Sequence, residues 1–297
     1  MSLDSIWIIN FRNLTNVRID LDHKFNFFLG PNGSGKTSLL DAVHFLSSAR
    51  SFTTNSSHSF IMEGKEECIV RGKIKGKVQL SRVGVSRSKS GPLDIRINGE
   101  KIRRSSDLAA CLPTIVLSPE SINLVIGPPA RRRSFMNWGT FHVEPLFKEV
   151  WERANRCLKQ RNFALQVGVQ KRDELESWTD GLIKNSLKID EYRADYIENL
   201  KPFFSEVLER ISGLKDVEIY YLRGWDKKIQ LKEVFDRNSE IDSKRGYTGF
   251  GFHRADLKVY VRGRPATETC SRGELKALVW ALKLAQGRFL LREKAIN

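Results

Sequence analysis

The chain has 297 residues, 40% of them hydrophobic, which is enough for about two domains with a real core. Lys and Arg outnumber Asp and Glu by 50 to 35, and this net charge of +15 favours a polyanionic partner, either nucleic acid or an anionic membrane surface. No apolar stretch approaches the ~20 residues that span a bilayer, and the N-terminus lacks the cationic and apolar parts of a signal peptide. We therefore expect a cytoplasmic protein without a membrane segment. The cysteines are scattered without metal-ligand spacing, which predicts reduced structural thiols: Cys68, Cys111, Cys157 and Cys270.

The first predicted elements are two strands, residues 6–11 and 25–29, and a helix over residues 38–47. The stretch between the second strand and the helix, within "FFLGPNGSGKTSLLDA", fits the phosphate-binding pattern G-x-x-x-x-G-K-[ST]. Glycines let the backbone N–H groups point inward, and the helix N-terminus adds positive potential, so this loop suits a polyphosphate. In this geometry Lys36 reaches the β and γ phosphates of a nucleotide, and the Thr37 hydroxyl ligates its Mg²⁺. The residues predicted to bind ATP are Gly30, Pro31, Asn32, Gly33, Ser34, Gly35, Lys36, Thr37 and Ser38.

Alternating apolar residues return between positions 66 and 103, ending in an Asn98-Gly99 turn, and predict antiparallel β structure. Residues 71–91 contain seven basic residues and no acidic one, so this segment offers a positive face for nucleic acid, for which Lys73, Lys75 and Lys77 are the candidate DNA contacts. The alternative is a solvated edge, because lysines also protect strand edges from unwanted pairing.

The pattern becomes helical from about residue 144 to 212, where Leu146, Val150, Ala154 and Leu158 step by four. Strand-like alternation returns at residues 257–261. We therefore predict a helical lobe, residues 131–245, that interrupts an α/β lobe made of residues 1–130 and 246–297.

A second helix start with phosphate-binding potential lies at "TCSRGELKALVWALKLAQ". Its apolar positions, from Leu275 to Ala285, follow the 3.6-residue period, and a serine cap beside a glycine leaves N–H groups and a hydroxyl for an anion. By itself this start is also an ordinary N-cap. The residues that open the helix are Ser271, Arg272, Gly273 and Glu274.

Together, the two motifs resemble the heads of ABC-type ATPases, in which the P-loop of one subunit and the signature serine of the other enclose ATP. The compact helical lobe and four further motifs, in order, identify the sequence as similar to the RecF family along essentially its whole length. These motifs are Phe11-Arg12-Asn13; Pro119, Glu120, Gly127, Pro129, Arg132, Arg133 and Phe135; Leu158 to Asn162; and Gly251, His253, Arg254, Asp256 and Leu257.

The resemblance implies an α/β P-loop NTPase of the ABC-ATPase head type, with a mixed sheet, an antiparallel β subdomain and an inserted helical arm. It implies ATP and Mg²⁺ as cofactors, with Thr37 as metal ligand, and an ATP-dependent homodimer in which the residues from Ser271 to Glu274 act in trans. Arg12 and Asn13 would reach the phosphates. His253 and Arg254 would sense the γ-phosphate or simply pack. The arginines Arg131, Arg132 and Arg133 would contact DNA or brace the helical lobe.

The function implied is ATP-dependent binding of duplex and gapped DNA in recombinational repair, with RecO and RecR as partners in loading RecA, replication restart and the SOS response. The family is a weak DNA-dependent ATPase whose acidic catalytic strand is not found within residues 1–297, so we expect hydrolysis by this chain to be impaired. The chain also departs from the family pattern at Asn137, Phe252, Cys270 and Glu274. The alternatives are a small-molecule P-loop kinase and a DNA clamp that binds ATP without turnover.

Overall fold

Two compact units, Met1–Val116 and Leu117–Asn297, make up the computed structural model, which describes residues 2–54, 56, 58–76, 80–167 and 172–296. Lys77 and Val78, which the sequence placed in the basic β segment, lie outside the described residues. No disulfide joins any of the four cysteines, all of which the structure describes. None of the helices within the described ranges is long and apolar enough to cross a membrane.

Unit 1 is built on one antiparallel sheet with the strand order β2-β1-β3-β4-β5-β6. The strands at the two ends of this order each have a single neighbour, whereas β3 and β4 lie in its interior. The elements of unit 1 are β1 (Ser2–Phe11), β2 (Leu14–Asp20), α1 (Lys36–Ser48), β3 (Glu67–Lys75), β4 (Leu80–Ser88), β5 (Asp94–Ile97), β6 (Glu100–Lys101) and α2 (Ser105–Cys111).

The core of unit 1 lies between the inner face of this sheet and α1. Ile6 and Ile8 of β1 are 1% and 0% exposed, and the α1 residues Phe45 and Leu46 are fully buried in the same cluster. Gly72 allows the close approach, because a Cβ there would lie 2.5 Å from a methyl carbon of Leu46. The alternation that predicts antiparallel β structure is thus confirmed, as is the Asn98-Gly99 turn between β5 and β6.

The predicted strand at residues 25–29 is wrong. The structure has no strand there, and Phe25, Phe27 and Leu29 are 74%, 84% and 92% exposed. An apolar run becomes a strand only where a neighbouring strand accepts its backbone hydrogen bonds. Among the described strands, none pairs with this segment, so its composition alone does not order it as a strand.

Unit 2 combines a helical bundle with a small antiparallel sheet of order β7-β8-β9. Two short 3₁₀ turns, Pro119–Ile122 and Phe252–Arg254, connect its elements. These elements are α3 (Asn123–Ile126), α4 (Pro129–Val143), α5 (Phe147–Val167), α6 (Arg172–Ile211), β7 (Val217–Leu222), α7 (Leu231–Arg237), α8 (Ser239–Arg245), β8 (Asp256–Val261), β9 (Arg264–Pro265), α9 (Ala266–Thr269) and α10 (Arg272–Ile296).

The main core of unit 2 is formed by α4, α6, α10 and the sheet. Leu278, Val279 and Leu282 of α10 are 0 to 1% exposed, which confirms the helical period read from the sequence. Gly139 lets α4 and α6 touch, since a Cβ there would lie 2.0 Å from the Tyr196 ring. A second cluster, which includes Trp225, packs α5, α6 and α7 together.

The predicted helices between residues 144 and 212 are confirmed as α5 and α6, and the predicted strand at residues 257–261 is confirmed as β8. The region predicted as a helical lobe, residues 131–245, also contains the strand β7. The predicted head, residues 1–130 and 246–297, draws on both compact units and remains a prediction.

Candidate functional site

The loop before α1 curls through left-handed backbone that only glycine adopts readily. Gly33 and Gly35 have φ angles of 83° and 95°, and Gly35 lies directly before the first residue of α1. A Cβ at Gly35 would lie 2.8 Å from a methyl carbon of Leu14, so close packing as well as conformation requires glycine there. The loop therefore has the turn that the phosphate-binding pattern demands, and it ends at a helix N-terminus.

Lys36 is the first residue of α1, and its side chain turns back over the loop. Its Nζ donates hydrogen bonds to the carbonyl oxygens of Gly30, at 2.7 Å, and Pro31, at 2.8 Å. The next residue, Thr37, is exposed, whereas Ser38 is buried. The ammonium group and the Thr37 hydroxyl thus lie at the open end of the loop, the positions that phosphate and its metal ion require.

Asn13 fixes the phosphate-binding loop from the turn between β1 and β2. Its Nδ2 donates to the Gly33 carbonyl at 2.9 Å, and its Oδ1 accepts a hydrogen bond from the Ser38 hydroxyl at 2.7 Å. One side chain therefore ties the loop to the helix that follows it. The family resemblance implies that Asn13 reaches the nucleotide phosphates, which stays a prediction; in the structure its side chain bonds the loop itself.

Arg12 is held by an acidic residue that sequence reasoning missed. Its guanidinium forms an ion pair with Asp41 of α1 at 2.9 Å, and the Asp41 side chain is fully buried. Asp41 also accepts hydrogen bonds from the Ser51 hydroxyl, at 2.7 Å, and from the Phe52 N–H, at 2.9 Å. A carboxylate at the fourth position after Thr37, inside an otherwise apolar helix turn, was the available signal. This pair orients Arg12 beside the P-loop.

The chain's own residues fit a nucleoside triphosphate carried with Mg²⁺. The nest of N–H groups, Lys36 and the helix N-terminus all supply positive charge to phosphate oxygens, and Thr37 offers a hydroxyl to the cation. Within the described ranges, no group of three or more His, Cys, Asp or Glu residues forms a separate metal site.

The second motif, in unit 2, opens α10 with a capping box. The Ser271 hydroxyl accepts the N–H of Glu274 at 3.3 Å, and the Glu274 carboxylate accepts the N–H of Ser271 at 2.7 Å. These hydrogen bonds to Ser271 lower the pKa of Glu274. Arg272 and Gly273 form the exposed first turn. The predicted N-cap is present, with its serine hydroxyl engaged within the box.

Arg132 braces unit 2 from within. It is 7% exposed, and its Nε and Nη2 donate to the two oxygens of Asp256 at 2.6 and 3.0 Å. Burial disfavours the charge on Asp256, but the hydrogen bonds from Arg132 outweigh it, and the pKa of Asp256 is lowered. Of the two alternatives for Arg132, the structure favours the brace and not the DNA contact, because the guanidinium is enclosed and also donates to the carbonyls of Val125 and Gly127. Arg133 donates to the Ala255 carbonyl at 3.1 Å, whereas Arg131 is exposed.

The motif at 158–162 meets the loop before β8 through a second buried arginine. Arg161 donates to Asp242 at 2.8 Å and to the Thr248 hydroxyl at 2.7 Å, and both ion-pair side chains are 3% exposed. Asn162 accepts hydrogen bonds from the N–H and the hydroxyl of Thr248 at 2.8 and 2.7 Å. The motif at 158–162 is therefore bonded to Asp242 and Thr248, which lie shortly before the motif at 251–257.

Asn137, one of the positions that differ from the family pattern, contacts a third buried arginine. Arg193 is 1% exposed and donates two hydrogen bonds to the Asn137 side-chain oxygen, at 2.7 and 3.0 Å. It also donates to the Phe252 carbonyl at 2.7 Å. The Asn137 amide thus accepts the hydrogen bonds that a carboxylate would accept, but it supplies no negative charge. Burial lowers the pKa of Arg193. The departure at Phe252 places a buried aromatic ring in the second cluster.

His253 is packed into the wall of this network. Its Nε2 lies 3.1 Å from the Thr248 carbonyl, and its Nδ1 is buried without a hydrogen-bond partner among the described residues. Burial lowers the pKa of His253 to about 4, so the imidazole is neutral at pH 7. Of the two interpretations of His253, phosphate sensor and packed side chain, this environment fits the packed one.

The outer face of the sheet in unit 1 carries a row of residues that crosses all six strands, and four of the six residues are basic. Register places one residue of each strand side by side, and at about 4.8 Å per strand the row is about 24 Å long. Lys73 of β3 pairs with Arg82 of β4 next to it, and the guanidinium of Arg71 lies 5.2 Å from the Trp7 ring centre. We call this set the basic row: Arg18, Trp7, Arg71, Gly84, Arg96 and Lys101.

The sheet topology corrects one of the two interpretations of the basic segment at residues 71–91, namely that its lysines and arginines protect a solvated strand edge. Because β3 and β4 are interior strands, their arginines and lysines do not protect an edge. Within the part of the chain that the structure describes, one carboxylate, that of Asp94, neutralises part of the row by pairing with Arg96 at 2.9 Å and Lys101 at 3.4 Å. The face also contains a depression of about 470 Å³ lined by Trp7, Arg18 and Arg71 among others. It is a positive surface with an exposed aromatic ring.

Comparisons with known proteins agree with this geometry. The family model "RecF/RecN/SMC N terminal domain" matches residues 2–294. The chain is 38% identical over 291 residues to the DNA replication and repair protein RecF of Aliivibrio fischeri, covering 98% of this chain and 81% of the relative. It is 39% identical over 295 residues to RecF of Pseudomonas aeruginosa, covering 99% and 80%.

Solved structures give the same assignment. The recombination mediator protein RecF-ATP in the RecFOR pathway superposes with a TM-score of 0.91 at 26% identity, covering 99% of this chain and 82% of that one. An Smc head bound to the C-terminal winged helix domain of ScpA shares the fold, with a TM-score of 0.56 at 13% identity, covering 97% and 77%. The expected P-loop NTPase fold of the ABC-ATPase head type is thereby confirmed. The chain belongs to the RecF family.

Proposed function

We propose that this protein binds DNA in an ATP-dependent manner during recombinational repair, as an ATP-joined homodimer on duplex and gapped DNA. The names of its relatives and the RecF-ATP neighbour support the repair and ATP parts of this proposal. The basic row supports the DNA part, because two of its four cations, Arg71 and Arg96, lie on interior strands, where edge protection does not explain them. By the same family relation, RecO and RecR would be its partners in loading RecA, in replication restart and in the SOS response, in the cytoplasm.

At the nucleotide site, each residue has a distinct task. The P-loop N–H groups and Lys36 would hold the β and γ phosphates, and Thr37 would ligate the accompanying Mg²⁺. Asn13 would keep the loop in its curled form, because it bonds both the loop and α1. The N-terminus of α10, with Ser271 and Gly273, would face the triphosphate held by a second copy of the chain.

DNA binding through the basic row is tested by removing three of its charges at once. We expect Arg18→Ser, Arg71→Ser and Arg96→Ser together to weaken binding of a duplex about 10- to 100-fold at low salt. The slope of log affinity against log salt should fall by about 0.9 for each phosphate that the variant no longer neutralises. Fluorescence anisotropy between about 50 and 200 mM salt measures both quantities.

The matched control removes the same charge from exposed loop positions outside the strands, Lys24→Ser, Lys65→Ser and Arg103→Ser. If the control and the triple variant lose equal affinity, the effect is one of net charge, and the assignment of the row is wrong. If the unaltered protein shows no salt-dependent DNA binding, the proposed function is wrong.

ATP-dependent pairing is tested separately at the tip of α10. Ser271→Arg places a long cation where the serine hydroxyl meets the opposite nucleotide, so we expect this variant to form no dimer with a non-hydrolysable ATP analogue. Light scattering measures the mass with and without the analogue. A small-molecule kinase would bind ATP as a monomer and would be unaffected by this substitution.

A further inference from the structure

Unit 2 contains an open depression of about 570 Å³, and one of its lining residues, Arg254, belongs to the motif at 251–257. One wall is the segment after β7, from Arg223 to Asp226, and the other is the segment between α8 and β8, from Arg245 to Arg254. We call it the arginine pocket. It belongs to unit 2 alone and shares no residue with the P-loop, the start of α10 or the basic row.

The two walls touch at a pair of glycines. A Cβ at Gly224 would lie 2.0 Å from the Gly251 carbonyl oxygen, and the Gly251 N–H donates to the Gly224 carbonyl at 3.4 Å. Gly251 has a φ of 124°, a conformation that other residues rarely adopt. The junction of the walls is therefore a close backbone crossing, which requires glycine on both sides and fixes the shape of the pocket.

Three arginines give the pocket its charge. Arg223 pairs with the buried carboxylate of Asp190 at 3.2 Å. Arg245 and Arg254 are exposed, and no salt bridge neutralises either among the described residues. The one acidic lining residue, Asp226, accepts the Lys228 N–H at 2.8 Å as a turn cap. The net charge of the pocket walls is positive.

Aromatic rings accompany these arginines. Arg254 lies 5.7 Å from the ring centre of Tyr247, which is 42% exposed, and Arg223 lies 5.8 Å from that of Trp225. Trp225 is 7% exposed and forms the floor as part of the second cluster. A guanidinium resting on a ring loses less freedom when it binds an anion, so both arginines are partly preorganised.

The buried network described above holds the outer wall. Arg161 and Asn162 fix Thr248, Asp242 accepts the Gly249 N–H at 3.0 Å, and Arg193 bonds the Phe252 carbonyl. Buried charged and amide side chains thus converge on one short segment. Such rigid support is what a binding site needs in order to hold charged groups in fixed positions.

We propose that the arginine pocket binds a single nucleotide unit, with the phosphate on Arg245 and Arg254 and the base against Tyr247. Arginine recognises phosphate in two-point geometry, and an exposed ring beside it suits a stacked base. A volume of about 570 Å³ is that of a small-ligand site. The inference rests on the proposed function, since it names an unpaired nucleotide of the bound DNA as the source. A free nucleoside phosphate has the same chemistry.

The test is calorimetric titration of the full chain with 5′-phosphorylated thymidine dinucleotide, pdTpdT. Two further ligands are titrated for comparison. The dinucleotide dTpdT lacks the terminal phosphate, and dTMP is a mononucleotide without a second residue. Arg245→Ser with Arg254→Ser should weaken pdTpdT binding at least about tenfold, because two charge-assisted hydrogen bonds to the phosphate are removed. Tyr247→Ala should weaken it about fivefold or more, and Tyr247→Phe should retain the affinity because the ring remains.

The control replaces two exposed arginines on helices of the same unit, Arg153→Ser and Arg210→Ser, whose side chains are 63% and 70% exposed. It should bind pdTpdT as the unaltered chain does. Tighter binding of pdTpdT than of dTMP identifies a strand as the source, and equal binding identifies a free nucleotide. Either result supports nucleotide binding in the arginine pocket if the variant that carries both Arg245→Ser and Arg254→Ser loses that binding.

The inference is overturned if the unaltered chain binds none of the three probes up to about 1 mM. It is also overturned if the double variant and the control bind pdTpdT equally, since the site then lies elsewhere, as at the P-loop. Binding of a glutamate-rich peptide without nucleotide binding would likewise overturn it. Because these probes are too short to cross the basic row, the result does not depend on duplex binding, and failure of the proposed function is recognised separately.

Discussion

The P-loop and the segment of residues 248–256 are both fixed by side chains from distant positions, but they are fixed in opposite environments. The P-loop lies at the surface of unit 1, where Asn13 and its own Lys36 supply the hydrogen bonds to an otherwise exposed backbone. The segment in unit 2 is held by Arg132, Arg161 and Arg193, each 7% exposed or less. One region keeps its charges accessible, and the other encloses them.

The difference in burial indicates whether a basic residue binds a ligand or stabilises the fold. In water, a cation such as Lys36 is available to a ligand at little cost. A buried guanidinium would be costly without complete pairing, so its partners, and not a ligand, account for its presence. Substitutions should therefore affect ligand affinity in the first region and the stability of the fold in the second.

The largest effect is expected for Arg161→Met. It leaves the Asp242 carboxylate buried without its cation, and the free energy of unfolding should fall by about 3–5 kcal/mol. Urea denaturation measures the decrease. The matched control is Arg153→Met, which breaks an exposed helix pair with Glu149 and should change stability by less than about 0.5 kcal/mol. An equal decrease in the free energy of unfolding in the two variants would contradict a stabilising role for the buried pair of Arg161 and Asp242.

Lys36→Ala should act on affinity instead. Removing the ammonium group from phosphate corresponds to about 1.5–3 kcal/mol, or roughly 10- to 100-fold in the dissociation constant for ATP. Stability should hardly change, because Lys36 bonds only exposed loop carbonyls. Titration with a fluorescent ATP analogue tests this, with Lys24→Ala as the control for charge. ATP binding that survives intact in Lys36→Ala would argue against the nucleotide site.

Acid should destabilise unit 2 through His253. Its pKa is lowered from 6.5 to about 4 by burial, so the unfolded state binds the proton first as the pH falls. The contribution of His253 is fully present above about pH 6.5 and declines between about 6.5 and 4, by up to about 2 kcal/mol at about pH 5. His253→Gln should lack this part of the pH dependence. The difference in unfolding free energy between about pH 7 and 5 is the measurement, and identical differences in the two proteins would refute it.

Asn13→Ala should have the smallest effect of the four. It removes the tie between Gly33 and Ser38, and we expect about a fivefold decrease in ATP affinity with a decrease of about 1 kcal/mol in stability. Asn16→Ala is the control, because Asn16 also makes a side-chain hydrogen bond, to Trp7, away from the loop. Affinity equal to that of the control would mean that the loop keeps its form without Asn13.

Local chemistry made the form of the P-loop predictable from the sequence. The glycine spacing, Lys36 and the helix that follows lie within a few residues, so their geometry depends on neighbouring backbone angles, and the structure reproduces it. The same holds for α10, whose capping box spans Ser271 to Glu274. Asp41 was not predicted, since its partner Arg12 lies 29 positions away.

Non-local pairing accounts for the failures. The apolar run at 25–29 has strand composition, but a strand also needs a neighbour, which composition does not reveal. The arginines of the motif at 131–133 look alike in sequence, yet Arg132 is enclosed and Arg131 is exposed. The two residues differ because Arg132 lies on the side of α4 that faces the core and Arg131 lies on the side that faces solvent.

Residues within a turn or two of one another are sufficient to specify the phosphate-binding loop, the capped helix and the periodic helices. Contacts between distant residues set which cations are available to a ligand. Cross-strand register assembled the basic row from six separate strands, whereas the buried carboxylates of Asp256 and Asp242 and the amide of Asn137 bind Arg132, Arg161 and Arg193. A charge is available or consumed according to the groups that folding brings beside it, and those groups are far away along the chain.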